Sequence, residues 1–157
     1  MELQNPPIVK VQMLIRKPVS EVFMAFVDPA VTTRFWFTKS SGKLESGNEI
    51  RWEWEMYGVS ALVSVKAVDP NKRILIEWGD PLRTVEWLFD PRLDNTTLVS
   101  ISEKGFHGSD DEVVAQALDS KGGFTIVLAG LKALLEHDVV LNLVADQHPD
   151  AHKKSGA

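Results

Sequence analysis

Residues 121–138, KGGFTIVLAGLKALLEHD, constrain this chain more than any other stretch. Phe124, Val127, Leu128, Leu131 and Leu135 recur at intervals of three and four, the spacing of one helical face. Lys132 and Glu136 mark the opposite, solvated side. Gly122 and Gly123 punctuate the entry, and Gly130 falls inside the helical pattern. A mid-helix glycine costs about 1 kcal/mol against alanine, so Gly130 predicts a close approach of the helix to another backbone. A helix that is apolar on one side needs a surface to lie on. The rest of the chain reads as a curved sheet that supplies it. Whether side chains or a ligand fill the space between helix and sheet is the functional question.

The sheet is read from alternation. Ile8 to Arg16 places Val9, Val11, Met13 and Ile15 on one face, a half-buried strand. Pro18 suits the first turn of a helix carrying Val22, Phe23, Phe26 and Val27. Asp28-Pro29 starts a second short helix, with Asp28 as its cap and Val31, Phe35 and Trp36 on its apolar side. Residues 39–48 are turn-rich. Glu49 to Met56 then alternates without a break, Ile50, Trp52, Trp54 and Met56 against Glu49, Arg51, Glu53 and Glu55.

After the Tyr57-Gly58 turn, Val59, Ala61, Val63, Val65 and Ala67 form the apolar phase of another strand. Ile74, Ile76 and Trp78 line the next, which Gly79-Asp80-Pro81 ends. Val85, Trp87 and Phe89 continue the pattern until Asp90-Pro91 and Asp94-Asn95 break it. The sixth strand puts Thr97, Val99, Ile101 and Glu103 on one side. Short loops between successive strands imply antiparallel hairpins. Ser109 and Glu112 have the spacing of a capping box, which predicts a short helix through Leu118 ahead of the long one. Val139 to Val144 reads as an apolar tail packed back on the domain, and the ends 1–7 and 152–157 as loose.

Composition removes whole classes of function. The 157 residues are enough for one domain with a sizeable core, 44% apolar and 25% charged. A net charge of −5 argues against a nucleic-acid surface, which needs a basic patch. No run of about eighteen apolar residues is present to span a membrane. The N-terminus lacks a secretory pattern, and with no cysteine there are no disulfides, thiol nucleophiles or cysteine-ligated metals. A cytoplasmic location is the expectation. Five tryptophans against one tyrosine is the unusual count, because indoles build large cores or aromatic pockets.

The order strand, two short helices, five-strand meander and long terminal helix resembles the START-like (SRPBCC) superfamily with its helix-grip fold. Within it the chain is most similar to the branch related to the activator of the ninety-kilodalton heat-shock protein's ATPase. The resemblance is carried by Lys17-Pro18-Val19-Ser20-Glu21-Val22-Phe23, by Asp28-Pro29 leading to Phe35-Trp36-Phe37, by Glu103-Lys104-Gly105-Phe106, and by Gly123-Phe124 opening a helix that ends Leu131-Lys132-Ala133-Leu134-Leu135-Glu136. It implies an α+β fold: a curved antiparallel six-stranded sheet wrapped around a long C-terminal helix, with two short helices between strands one and two. The expectation is a single domain over 1–157 with its core at 8–138. The resemblance also implies a cavity between sheet and helix, which in this superfamily commonly takes lipids, sterols, polyketides or other apolar molecules. It brings no catalytic motif that maps onto residues here.

Trp52, Trp54, Trp78 and Trp87 all fall on the apolar phase of their strands. They form either an aromatic-lined pocket, with indole N–H groups as handles, or a solid core of bulky residues. With Trp36, Phe124 and Leu128 they are the candidate ligand contacts. Glu103 joins them, because it occupies a phase where an apolar residue is expected. A carboxylate there must be hydrogen-bonded, paired or perturbed, unless the strand end reaches solvent. On this reading the inward phases hold no other ionisable group, which is thin for acid–base chemistry.

His137 suits a helix C-terminus, and His107 lies in a glycine-flanked loop. Asp146, His148, Asp150 and His152 are metal-type ligands in the tail, but no supporting residues accompany them, and neither metal nor cofactor is expected. Arg51, Glu53 and Glu55 read as a solvated stripe. Three functions follow in order: binding of an apolar or amphipathic small molecule in the cavity, a chaperone-associated interaction protein by family analogy, and a cyclase- or hydrolase-like enzyme. The expected partner is a hydrophobic small molecule, with a chaperone or a second copy of the chain, a homodimer, as alternatives.

Overall fold

Alternating strands and amphipathic helices assemble in the order expected. A computed structural model describes residues 5–151. The elements are β1 (Val9–Ile15), α1 (Val19–Val27), α2 (Pro29–Thr32), β2 (Lys39–Ser40), β3 (Glu49–Trp54), β4 (Val59–Asp69), β5 (Arg73–Trp78), β6 (Arg83–Arg92), β7 (Thr96–Lys104), α3 (Asp110–His137) and α4 (Leu143–Gln147). One curved antiparallel sheet runs β1-β7-β6-β5-β4-β3-β2. It has seven strands rather than six. The extra one, β2, pairs Lys39 with Glu53 and Ser40 with Trp52, and two residues are too few to show alternation. Residues 1–4 and 152–157, most of the ends read as loose, lie outside the described residues.

The concave face carries the core. Ile15, Ile74, Ile76, Val85, Trp87, Val99 and Ile101 are all at most 1% exposed. They face α1 through Phe23 and Phe26, and α3 through Phe124, Val127, Leu128, Leu131 and Leu134. Phe23 meets Phe89 edge-on at 5.1 Å, and Phe26 meets Trp87 at 5.9 Å. Thr32 Oγ1 donates to the Ala25 carbonyl at 2.6 Å, which locks the two short helices together.

Four details depart from the alternation. A bulge between Val65 and Ala67 reverses the phase of β4, so Val68, opposite buried Ile74, packs on the core in place of Ala67. The β3 strand ends at Trp54, and Glu55–Tyr57 form a 3₁₀ turn closed by left-handed Gly58. The β6 strand continues through Asp90-Pro91 to Arg92. There Phe89 N–H reaches the Lys72 carbonyl just beyond the end of β5, so two residues on Pro91 faces no ladder acceptor and its missing N–H costs nothing. Finally, α3 is one helix of 28 residues with no break at Gly122-Gly123. The capping box is formed: Glu112 N–H donates to Ser109 Oγ and Ser109 N–H to Glu112 Oε1, both at 3.2 Å.

Two contacts set where α3 lies. Gly130 passes so close to Phe35 that a Cβ on it would sit 3.3 Å from the Phe35 Cβ and 3.4 Å from its carbonyl oxygen. Lys132 and Glu136, read as solvated, instead clamp the helix to the end of β1. Lys132 Nζ donates to the Leu14 carbonyl (2.8 Å) and to Glu136 Oε2 (2.7 Å), and Arg16 N–H donates to the same oxygen (2.9 Å). Burial alone would raise the Glu136 carboxyl, but the Lys132 and Arg16 hydrogen bonds win and hold it below the usual carboxylate range.

Two outcomes follow. Gly130→Leu overpacks against Phe35 and costs about 1–3 kcal/mol in denaturant unfolding, despite the better helix propensity of leucine. The Glu136 carboxyl has a depressed folded pKa, so its stabilisation is complete above the ordinary carboxylate value and fades as pH falls through the folded one. The Tm gap between wild type and Glu136→Gln is therefore widest near neutral pH and closes on acidification.

Candidate functional site

The concave face is not filled where α3 leaves the sheet. A cavity of about 430 Å³ lies there, between the first half of α3, the β5–β6 hairpin, the end of β3 and the tail. That size lies within the range of small-molecule sites. Trp36, Trp54, Trp78 and Phe124 line it, with Phe106 and Val127. Trp36 is the hub of the aromatic wall. Its ring centroid lies 4.8 Å from Trp52, 5.8 Å from Phe124, 6.1 Å from Trp78 and 6.2 Å from Trp54, mostly edge-on. Of the residues singled out from sequence, Trp36, Trp54, Trp78, Glu103 and Phe124 border the cavity. Trp52, Trp87 and Leu128 are at most 1% exposed and sit behind it in the core.

One end of the cavity is polar. Glu103 is 2% exposed, opposite Val9 on β1 and Val85 on β6, and so is buried although it is the penultimate residue of β7. Three donors from three elements meet it. Trp78 Nε1 (2.6 Å) and Arg83 Nε (3.0 Å) donate to Oε2, and Ser120 Oγ (2.6 Å) donates to Oε1. Its charge is thus paired, and its lone pairs are largely taken. Arg83 is the residue that the sequence reading missed. It shares the phase of Val85 and Trp87 and stands opposite Trp78 across the hairpin, so parity alone puts it on the inward face. Its side chain is 28% exposed and lines the cavity. Among the described residues, Trp87 Nε1 is a buried side-chain nitrogen without a hydrogen-bond partner.

The C-terminal tail forms another wall. α3 ends at left-handed Asp138, and the chain returns so that Val144, Gln147 and His148 border the cavity. The Tyr57 hydroxyl donates to the Val144 carbonyl and, at 3.3 Å, contacts that of Ala145, tying α4 to the β3–β4 turn. Val144 packs on the core, whereas Val139, Val140 and Leu141 are each 43% exposed. His137, in the last turn of α3, and His107 are exposed. Asp146, His148 and Asp150 gather no metal-binding group among the described residues, and His152 lies outside them. No helix among the described residues is long and apolar enough to cross a membrane.

The sheet gripping one long helix, with a cavity between them, defines the START-like class. The chain belongs to the family described as Activator of Hsp90 ATPase homolog 1-like protein, which it matches over residues 16–136. Protein SSP2350 from Staphylococcus saprophyticus is similar in structure at 32% identity and a TM-score of 0.76, over 86% of this chain and 96% of that one. The Aha1 dimer from Colwellia psychrerythraea shares the fold at 16% identity and a TM-score of 0.71, covering 83% of this chain and 97% of that one. CalU16 from Micromonospora echinospora does so at 18% identity and a TM-score of 0.68, covering 93% and 86%. No match is found among curated proteins. The tail beyond residue 136 lies outside the family match.

Tyr57→Phe tests the tie to the tail. Loss of the hydroxyl is expected to speed hydrogen exchange of the α4 amides selectively and to cost about 1 kcal/mol, leaving exchange in the sheet core unchanged.

Proposed function

We propose that the chain is a single-domain binding protein for an amphipathic small molecule seated between the sheet and the first half of α3. The observation that carries this reading is the shape of the cavity: about 430 Å³, walled by six aromatic side chains and polar at one end. Burial of apolar area at roughly 25 cal/mol per Å² supplies the driving force, and the polar end orients the ligand. Trp36, Trp54, Trp78 and Phe124 are the apolar contacts. Trp52, Trp87 and Leu128 support them from behind. Glu103, held by three donors, acts as the post of the polar end. It is poorly placed to serve as a free general base, which counts against the enzyme reading.

Gly123 supports the same conclusion. It lies in the middle of α3 on the cavity wall, and a Cβ added there would meet nothing within 4 Å. Glycine in a helix costs about 1 kcal/mol, and no packing contact requires it here. Its smallness keeps the cavity wide.

Family membership favours a second reading, association with a chaperone. It requires the protein to change the ATPase rate of a ninety-kilodalton heat-shock protein in a mixing assay, independently of any cavity ligand.

The binding reading is tested by filling the cavity. Gly123→Leu is expected to keep or raise the Tm while lowering the affinity for a neutral apolar fluorophore, N-phenyl-1-naphthylamine, by about tenfold or more. Equal binding by both proteins, or none by wild type, would remove the reading.

A further inference from the structure

We propose that the cavity selects ligands whose apolar body carries a carboxylate, and that the Nη groups of Arg83 receive it. This rests on the cavity-binding reading above. The chemistry follows from counting donors and acceptors at the polar end. Glu103 already accepts from Trp78, Arg83 and Ser120, so it offers a ligand little. Arg83 is in the opposite position. A guanidinium has five N–H groups, and only the one on Nε is used, by Glu103. Nη1 and Nη2 have no protein acceptor among the described residues, and the side chain borders the cavity.

The guanidinium is also held in place. Gly79 has a φ of +86°, and a Cβ there would lie 3.0 Å from Arg83 Nη1 and 3.3 Å from Nη2. The planar group therefore rests against the bare backbone of the hairpin while Glu103 fixes Nε. Such a pre-positioned fork matches the two oxygens of a carboxylate, and charge-assisted bonds of this kind are about twice as strong as neutral ones.

Net charge does not drive the selection, because Glu103 offsets Arg83 one for one. Asp119 and His148 also border the cavity, but both side chains are exposed to solvent and screened. What drives it is the cost of stripping water from four guanidinium N–H groups without replacing their acceptors. A ligand with an amine or a bare hydrocarbon at that end bears this cost in full. An amide carbonyl relieves part of it, and a carboxylate most of it.

The test uses three probes that share one ring system: 1-naphthylacetate, 1-naphthylacetamide and 1-naphthylmethylamine, titrated calorimetrically into the full chain at neutral pH. The acetate is expected to bind about tenfold tighter than the amide, with the amine weakest. Arg83→Gln is expected to erase the preference, so that acetate and amide bind with about equal affinity. Arg83→Lys, which keeps the charge without the fork, recovers only part of the difference. If wild type binds acetate and amide equally, or prefers the amine, the inference is overturned while the cavity reading stands. If none of the three binds, the cavity reading fails and takes the inference with it. The wild-type series decides the question even if Arg83→Gln does not fold.

Discussion

One helix is too narrow to cover a seven-stranded sheet. At about 4.8 Å per strand the sheet of this protein is roughly 29 Å across, whereas a helix with its side chains is about 10–12 Å wide. Everything on the concave face answers that mismatch. The sheet curls to bring its far strands toward α3. The short helix α1 covers the ground over β6 and β7. On the side of β3 to β5, Phe37 and the indoles of Trp36, Trp52, Trp54 and Trp78 bridge the gap. Large rings packed edge-on leave angular gaps that aliphatic side chains would close. The cavity lies where that aromatic layer meets the first half of α3.

Glu103 turns this gap into a site with a direction. A buried carboxylate is expensive unless fully paired, and its three partners come from β5, β6 and α3. Pairing it therefore cross-links the hairpin to the helix across the polar end. Arg83 is drawn inward by the same requirement and left with unused donors facing the cavity. At the far end of α3 a second network, Lys132 and Glu136 with the backbone of Leu14 and Arg16, fixes the helix to β1. Between the two anchors, contact at Gly130 brings α3 down onto Phe35. The cavity is thus framed by rigid elements on three sides and by the tail on the fourth.

Much of this was legible in the sequence because alternation and helical spacing are local signals. The strands around Trp52, Trp78 and Trp87, the Ser109 cap and the close approach at Gly130 all follow from neighbours along the chain. The failures arise where the decisive contact is distant. Ala67 reads as inward until a bulge, forced by pairing with β5, shifts the phase to Val68. Lys132 and Glu136 read as solvated because only the fold brings the end of β1 beside them. Tyr57 carries no sign that its hydroxyl will meet the carbonyls of Val144 and Ala145, nearly ninety residues on. Arg83 differs, since its parity with Val85 and Trp87 was available. Its position beside a turn hid it, because hairpin ends are expected to be solvated. Trp52 and Trp87 share the phase of the cavity-lining indoles, and periodicity cannot tell a residue bordering a cavity from one behind it.

Five tryptophans, three on the cavity wall and two behind it, make the central claim directly measurable. With 5-fluorotryptophan incorporated, each indole reports separately by fluorine NMR during titration with a neutral naphthyl ligand. Occupancy of the space under α3 predicts the largest shifts at Trp36, Trp54 and Trp78, with Trp52 and Trp87 moving least. Five unmoved resonances at saturating ligand, or shifts confined to Trp52 and Trp87, would contradict it.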